Sequence, residues 1–340
     1  MARPLRIEYP GAMYHVMARG NQGHSIFGDD SDRKRFLETL AEACEKTGWG
    51  VHAYVLMGNH YHLLVETPEG NLVAGMKWLQ GTYTQRYNGR HKQFGHLFQG
   101  RYKAAVVDGK DANYLQVVSS YIHLNPARAG LIRIGREKLG RYRWSSYPWY
   151  LSRQCPVWLR REAVKGSLRL RAGDRRGYEA YLEGRVLELG MKTGRKDLEQ
   201  SWKAIRRGWY LGEPSFLEKL ERWLAEAVKG RQRQSHSGAA REAHDTAAAE
   251  RLLQRGLKAL QLKAADLAGL PKAAPEKVAL AWWLRRRTTV PLRWVAERLQ
   301  MGQYTRVTQA VSRMSRKPGR QLRLIRERLL ALESENYVYK

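Results

Sequence analysis

Four side chains in the first half of the chain could do chemistry together. His60 and His62 flank Tyr61 in the run Met57-Gly58-Asn59-His60-Tyr61-His62-Leu63-Leu64-Val65-Glu66. The run reads as the end of one strand, a tight turn at Gly58-Asn59 and a second strand. Side chains alternate faces along a strand, so His60 and His62 point one way. Tyr61, Leu63 and Val65 point the other way, towards a core. Two imidazoles side by side on a sheet face can hold a divalent metal. The bland alternative is a pair of ordinary, partly buried histidines. Further on, Tyr121 and Asn125 are four residues apart, which places them on one face of a helix. A tyrosine there can be a nucleophile; taken alone, it reads as a core or interface tyrosine.

The elements that must position these groups can be traced in order. Ala12 to Arg19 reads as a strand closed by Gly20-Asn21. His15 lies on the opposite face from Tyr14 and Val16, as a structural or a DNA-facing group. Asp29 to Asp32 caps a helix with apolar Phe36, Leu37, Leu40 and Ala41 at helical spacing, and Gly48 stops it. Trp49 to Met57 and His60 to Glu66 are the next strands. A helix follows over about Leu72 to Tyr87, with Met76, Leu79, Tyr83 and Tyr87 on one stripe. Leu97 to Val107 reads as the last strand, and Lys110 to Leu124 as a third helix. Pro126 disfavours helical backbone at Asn125, which predicts a stop or kink there. Strand, helix, strand, strand, helix, strand, helix is the order of a ferredoxin-like α+β layer with an antiparallel sheet.

The chain is basic: 61 Lys plus Arg against 32 Asp plus Glu, a formal net charge of +29 over 340 residues. Such an excess favours a polyanionic partner, most simply nucleic acid. The 11 Trp and 18 Tyr suit stacking on unpaired bases as well as core packing. Cys44 and Cys155 offer neither zinc spacing nor a disulfide framework, which fits a reducing cytosol. No run is long and apolar enough to span a membrane, and no Walker-type phosphate loop occurs.

The histidine pair and the segment Tyr121-Ile122-His123-Leu124-Asn125-Pro126-Ala127-Arg128-Ala129-Gly130 resemble the single-tyrosine HUH transposases. More narrowly, they resemble the REP-associated tyrosine transposases of bacteria. The likeness runs from Tyr9 to Tyr150 and includes Trp144-Ser145-Ser146-Tyr147. It implies a metal-dependent single-stranded DNA endonuclease and strand transferase acting near hairpins. In that reading Tyr121 is the nucleophile and becomes linked to a 5′-phosphate. His60, His62 and Asn125 hold a divalent metal, Mg²⁺ or Mn²⁺. Arg101, Lys103 and Arg128 are expected to bind phosphates. Single-stranded and hairpin DNA are the expected partners, in a monomer or homodimer of the bacterial cytoplasm and nucleoid. Two features depart from the pattern. Tyr61 stands where a simple aliphatic is usual, and His123 lies near the opposite helix side from Tyr121, as a packing or capping group. His52 and His96 receive no role.

Beyond residue 150 the chain reads as a helical extension to 230, with helix-like runs at 158–165, 178–189 and 216–228. A polar linker is expected at 231–245, then a helical domain at 246–340. Within the latter, helices at 274–287, 290–299 and 304–314 around the turn Met301-Gly302-Gln303 resemble a helix-turn-helix, similar to the DNA-binding domain of the replication initiator DnaA. Thr305, Arg306, Thr308, Gln309 and Arg313 would face duplex DNA. Two rivals keep the charge but drop the catalysis: a DNA-binding regulator that retained the fold, and an RNA-binding protein.

Overall fold

The structure, a computed structural model, describes residues 7–203, 205, 208–228, 239–316 and 318–334. It forms two compact units: Met1–Cys44 with Gly48–Gly230, and Glu45–Thr47 with Arg231–Lys340.

The first unit is built on a sheet of β1 (Ala12–Arg19), β2 (Gly50–Leu56), β3 (His60–Thr67), β4 (Lys103–Val107) and β5 (Tyr210–Leu211), in the order β2-β3-β1-β4-β5. The first four strands are antiparallel neighbours, as the ferredoxin-like order requires. The sheet is nevertheless mixed. β5 comes from the extension and runs parallel to β4, pairing Val106 with Tyr210 and Val107 with Leu211. Two residues carry too little periodicity to read as a strand, so the sequence offered no sign of it.

Strand alternation gives the sheet two buried faces. Tyr14, Val16, Tyr54, Leu56, Tyr61, Leu63 and Val65 pack against α1 (Asp30–Thr47) and α2 (Leu72–His91). Met13, Val55, Met57, Leu64, Ala105 and Val107 pack on the other side with α3 (Ala112–Arg128). The histidine face is therefore also a core face, roofed by α3.

Helix ends follow local chemistry. Asp29 caps α1 by accepting the Asp32 amide, and Gly48 closes it at φ 73°. Two boundaries differ from the sequence reading. The strand expected from Leu97 begins only at Lys103, because Gly100 adopts φ +65° and Phe98 makes only an isolated bridge to Gly20. Helix α3 does not stop at Pro126. It continues to Arg128 and closes on Gly130 at φ 73°. In the last turn the proline forfeits one amide bond, and the following turn supplies closing bonds: Leu131 N–H donates to Pro126 O at 2.9 Å.

The extension holds α4 (Tyr147–Leu151), α5 (Glu162–Ser167), α6 (Arg176–Gly190), α7 (Lys192–Ser201) and α8 (Pro214–Val228). The run expected from Trp158 becomes helical only at Glu162. Leu159 instead bridges to Val51 at the sheet margin.

The second unit is helical: Ala239–Ala259, Pro275–Arg287, Leu292–Arg298, Thr305–Ser315 and Arg320–Ser334. The first of these begins inside the stretch expected as linker; residues 231–238 of that stretch lie outside the described ones. Val278, Leu280, Trp283, Val295, Leu299, Val307, Ala310 and Met314 form its core. The buried Lys277 donates to Leu270 O at 3.0 Å and to Gln300 O at 3.2 Å, pinning the turn before the fourth helix.

Candidate active site

The pocket between β1, β3, β4 and α3 has a volume of about 450 Å³. Its floor is the α3-facing side of the sheet. The pairings Arg19 with His60, Met17 with His62 and His15 with Leu64 set His15 and His62 on a cross-strand diagonal. Lys103 and Ala105 continue that face on β4. Tyr121, Asn125 and Arg128 descend from α3 at the 4- and 3-residue spacing that keeps side chains on one helix face. Among the described residues the pocket thus gathers His60, His62, Tyr121, Asn125, Lys103 and Arg128. Arg101 is exposed just ahead of β4 and is not part of the lining.

The three imidazoles form a packed set. His15 and His62 stack with ring centres 5.1 Å apart, and His15 Nε2 lies 2.9 Å from His62 Nδ1. His60 meets His62 edge-on at 5.2 Å. The Tyr121 ring stands on edge to His62 at 5.4 Å and to His15 at 5.7 Å. Its side chain is almost covered, yet no hydrogen bond engages its hydroxyl among the described residues.

Burial keeps these histidines neutral. It brings His15 down to about 4. His60 is held at about 4 by burial, then by the charges of Arg19 and Arg128. His62 lies well below the usual imidazole range, through burial first and then His15, His60 and Arg128. Neutral imidazoles are what a metal needs. His60 Nδ1 sits 2.8 Å from the Asn59 amide oxygen, so Nδ1–H is the donor and Nε2 keeps its lone pair. If His62 Nδ1–H donates to His15, its Nε2 is free in the same way. Asn125 donates Nδ2–H to Tyr121 O at 2.8 Å, and its oxygen accepts Arg128 Nη1–H at 3.3 Å with one lone pair left. Two imidazole nitrogens and an amide oxygen suit a hard-to-borderline divalent ion with solvent filling the remaining positions. Among the described residues no group of three or more His, Cys, Asp or Glu side chains could hold a metal.

The extension completes the wall. Trp202, fully buried, stands on edge to Tyr121 at 5.5 Å. Glu199 accepts Arg128 Nε–H at 3.2 Å. Ile205 and Gly208 also line the pocket. Nothing in the sequence marked Trp202 or Glu199. His15 carried a signal, its place on the histidine face by alternation. Asn59 carried one too, its adjacency to His60.

His123, His52 and His96 lie elsewhere. His123 points away from the pocket, 2.9 Å from the Tyr178 hydroxyl and 2.6 Å from Ser146 Oγ, and burial brings it down to about 3. The Trp144-Ser145-Ser146-Tyr147 motif is thus a packing partner of α3. His52 is paired with Glu66 and with Arg160 O, and His96 is exposed.

Comparisons with known proteins bear on the same domain. Among curated proteins none matches the chain. A solved REP-associated tyrosine transposase bound to a REP hairpin is similar at 13% identity and a TM-score of 0.37, covering 47% of this chain and 92% of that one. The family model described as Transposase IS200 like matches residues 8–125, the segment that holds β1 to β4 and α3 through Asn125. The likeness of this chain to the IS200-like transposases is thus carried by its amino-terminal segment.

Proposed function

We propose that the protein is a metal-dependent single-stranded DNA endonuclease and strand transferase that acts at hairpin DNA of the REP type. The observation that carries this reading is the Tyr121 ring standing 5.4 Å from His62 in a pocket also lined by His60, Asn125, Lys103 and Arg128. A bare DNA-binding module has no need of an unengaged phenol beside neutral imidazoles.

In the reaction, Tyr121 Oη attacks the scissile phosphorus. The phosphorus–O3′ bond breaks as the phosphorus–Oη bond forms, and the 3′-oxygen leaves as a hydroxyl after taking a proton from solvent. The phenol proton is released to solvent. A second 3′-hydroxyl reverses the step and joins the strand without ATP. His60, His62 and Asn125 would hold the divalent ion, Mg²⁺ or Mn²⁺; when bound it supplies charge neutralisation and orientation of the phosphate. Lys103 and Arg128 present cations to the non-bridging oxygens. Trp202 and His15 restrict the Tyr121 ring to one plane, which limits the motion the attack must overcome.

The second unit would place this nuclease on duplex or hairpin DNA. Thr305, Arg306, Thr308, Gln309 and Arg313 are all exposed on the helix Thr305–Ser315, while Val307, Ala310 and Met314 are buried. A polar face of this kind can reach base edges and phosphates. No helix among the described residues is long and apolar enough to cross a membrane.

The test is incubation with labelled hairpin oligonucleotides and Mn²⁺ followed by a denaturing gel. A metal-dependent covalent adduct is expected. Tight binding with no adduct across a varied oligonucleotide pool would favour the regulator.

A further inference from the structure

The segment between α2 and β4 presents an aromatic ring that the core does not use. Phe94 is 99% exposed. The loop around it is held at many points. Lys92 closes α2 in the left-handed region at φ 53°, and Gln93 N–H donates to Asn88 O at 2.9 Å. Asn88 Nδ2–H donates to Gly95 O at 3.1 Å. Asn21 N–H donates to Leu97 O and Gln99 N–H to Arg19 O, both at 2.9 Å. Four residues on, Phe98 turns inward against Tyr61 and Tyr83. One phenylalanine of the loop is buried, and the other is held out in solvent by a braced backbone.

The surroundings identify what the ring meets. Residues 71–107 contain no Asp or Glu and six Lys plus Arg. Lys92, Arg101, Lys103 and Arg19 are exposed, and no carboxylate pairs with them among the described residues. Arg19 both lines the candidate active-site pocket and accepts the Gln99 amide, so the loop is bonded directly to the pocket wall. Five residues separate Gln99 from Phe94, a backbone reach of at most ~18 Å. An exposed ring on a loop that carries cations with no carboxylate partner among the described residues suits the face of an unpaired base and its neighbouring phosphates.

We propose that Phe94 is a stacking platform for an unpaired base in the single-stranded DNA that flanks the hairpin, with Lys92, Arg101 and Arg19 holding the adjoining phosphates. The proposal rests on the reading of the pocket as a single-stranded DNA site, and it names a contact outside that pocket.

The experiment uses the full-length protein and hairpin oligonucleotides with a single-stranded flank. In the flank, 2-aminopurine replaces one base at a time. Affinity is read by anisotropy at fixed salt, without divalent metal, for wild type, Phe94→Ala, Phe94→Leu and Phe94→Trp. Stacking predicts a loss of roughly 5- to 150-fold for Phe94→Ala, the range for one aromatic–base contact. Trp retains affinity, Leu does not, and one 2-aminopurine position quenched by wild type recovers its fluorescence with Ala. Equal affinity of wild type and Phe94→Ala overturns the proposal. So does Leu matching Phe, which marks a plain apolar contact, or a loss of self-association in place of DNA affinity, which marks a second copy of the chain as the partner. An equal loss on hairpins lacking the flank overturns it as well. Adduct formation with Mn²⁺ on the same oligonucleotides is scored separately. If wild type gives no adduct while the Phe94-dependent quench persists, the nuclease reading fails and the stacking site stands.

Discussion

The guanidinium of Arg128 lies 5.0 Å from the ring centre of Tyr121 and 5.1 Å from that of Trp202. One cation therefore joins the candidate nucleophile to a tryptophan some eighty residues later in the chain. Glu199 holds it at Nε and Asn125 at Nη1, so its plane has little freedom. Glu199→Ala is expected to slow adduct formation in single-turnover assays by about 10- to 100-fold, the scale of a modest misplacement at a reacting centre. Affinity for the same oligonucleotide stays within about twofold, as expected for a group that acts only on orientation. Glu199→Asp restores part of the rate. A parallel loss of affinity and rate in Glu199→Ala would point to a binding role in its place.

Tyr121→Phe removes only a hydroxyl that has no hydrogen-bond partner among the described residues. The ring contacts with His15, His62 and Trp202 do not depend on it. Stability should therefore shift by no more than about 0.5 kcal/mol, since no polar partner is orphaned. Adduct formation should vanish while hairpin binding persists. An adduct that survives the change would assign the chemistry to another tyrosine.

Mn²⁺ is expected to raise the melting temperature of the wild-type protein, because the imidazoles are already neutral and oriented in the fold. At a hundredfold excess over the dissociation constant the linkage amounts to about 2.7 kcal/mol. His62→Ala and His60→Ala should each abolish that shift, and a chelator should reverse it in wild type. Since thermal shift reads binding without turnover, an unchanged shift in both variants would move the metal site elsewhere whatever the nuclease assay shows.

Much of this site was legible before the fold was seen, and the reasons are local. The alternation through His60-Tyr61-His62 was enough to put both histidines on one sheet face and Tyr61 on the other, because period 2 admits no other assignment in a strand; it did not show that both faces are core faces. The four-residue spacing of Tyr121 and Asn125 did the same on α3. What stayed hidden depends on tertiary contacts. Trp202 and Glu199 belong to a segment with no motif, and only the packing of the end of α7 brings them to α3. Tyr210 and Leu211 form a strand because β4 offers an open edge, not because two residues prefer extended backbone. Pro126 predicts a stop or kink at Asn125 because its preference is local; Gly130, with its left-handed φ of 73°, sets the end of the helix.

Acid should loosen the junction of α1 and α2 first. Asp32, buried, accepts from the Gly28 amide at 2.8 Å and from Arg90 and His91. Burial opposes its charge, but Arg90, His91 and the Gly28 amide outweigh burial and keep its carboxyl below the ordinary range. A group depressed in the folded state contributes stability that is present above its unfolded value and lost as pH falls through the folded one. The loss should therefore begin below about pH 4, the unfolded carboxyl range. Urea denaturation from pH 6 to 2.5 should show Asp32→Asn less stable than wild type at pH 6, with the gap closing towards pH 2.5. A gap that stays constant across the range would place the Asp32 contribution in packing instead of charge.

Duplex binding is expected to separate the second unit from the first. Arg306 and Arg313 are exposed on one helix whose opposite face is buried by Val307, Ala310 and Met314, so changing them leaves the core intact. Removing one arginine–phosphate pair should reduce the slope of log affinity against log salt by about 0.9 on duplex DNA. Arg306→Ala with Arg313→Ala is thus expected to lower the slope by about 1 to 2 if one or both touch phosphate, again on that counterion scale. An arginine that reads a base would relax sequence preference at one position instead, at roughly 1–3 kcal/mol. Adduct formation on a short single-stranded oligonucleotide should be unchanged in the double variant, because that reaction needs only the pocket around Tyr121. If the single-stranded adduct falls while the duplex slope holds, the helix Thr305–Ser315 serves the nuclease site itself and the helix-turn-helix reading of the second unit is wrong.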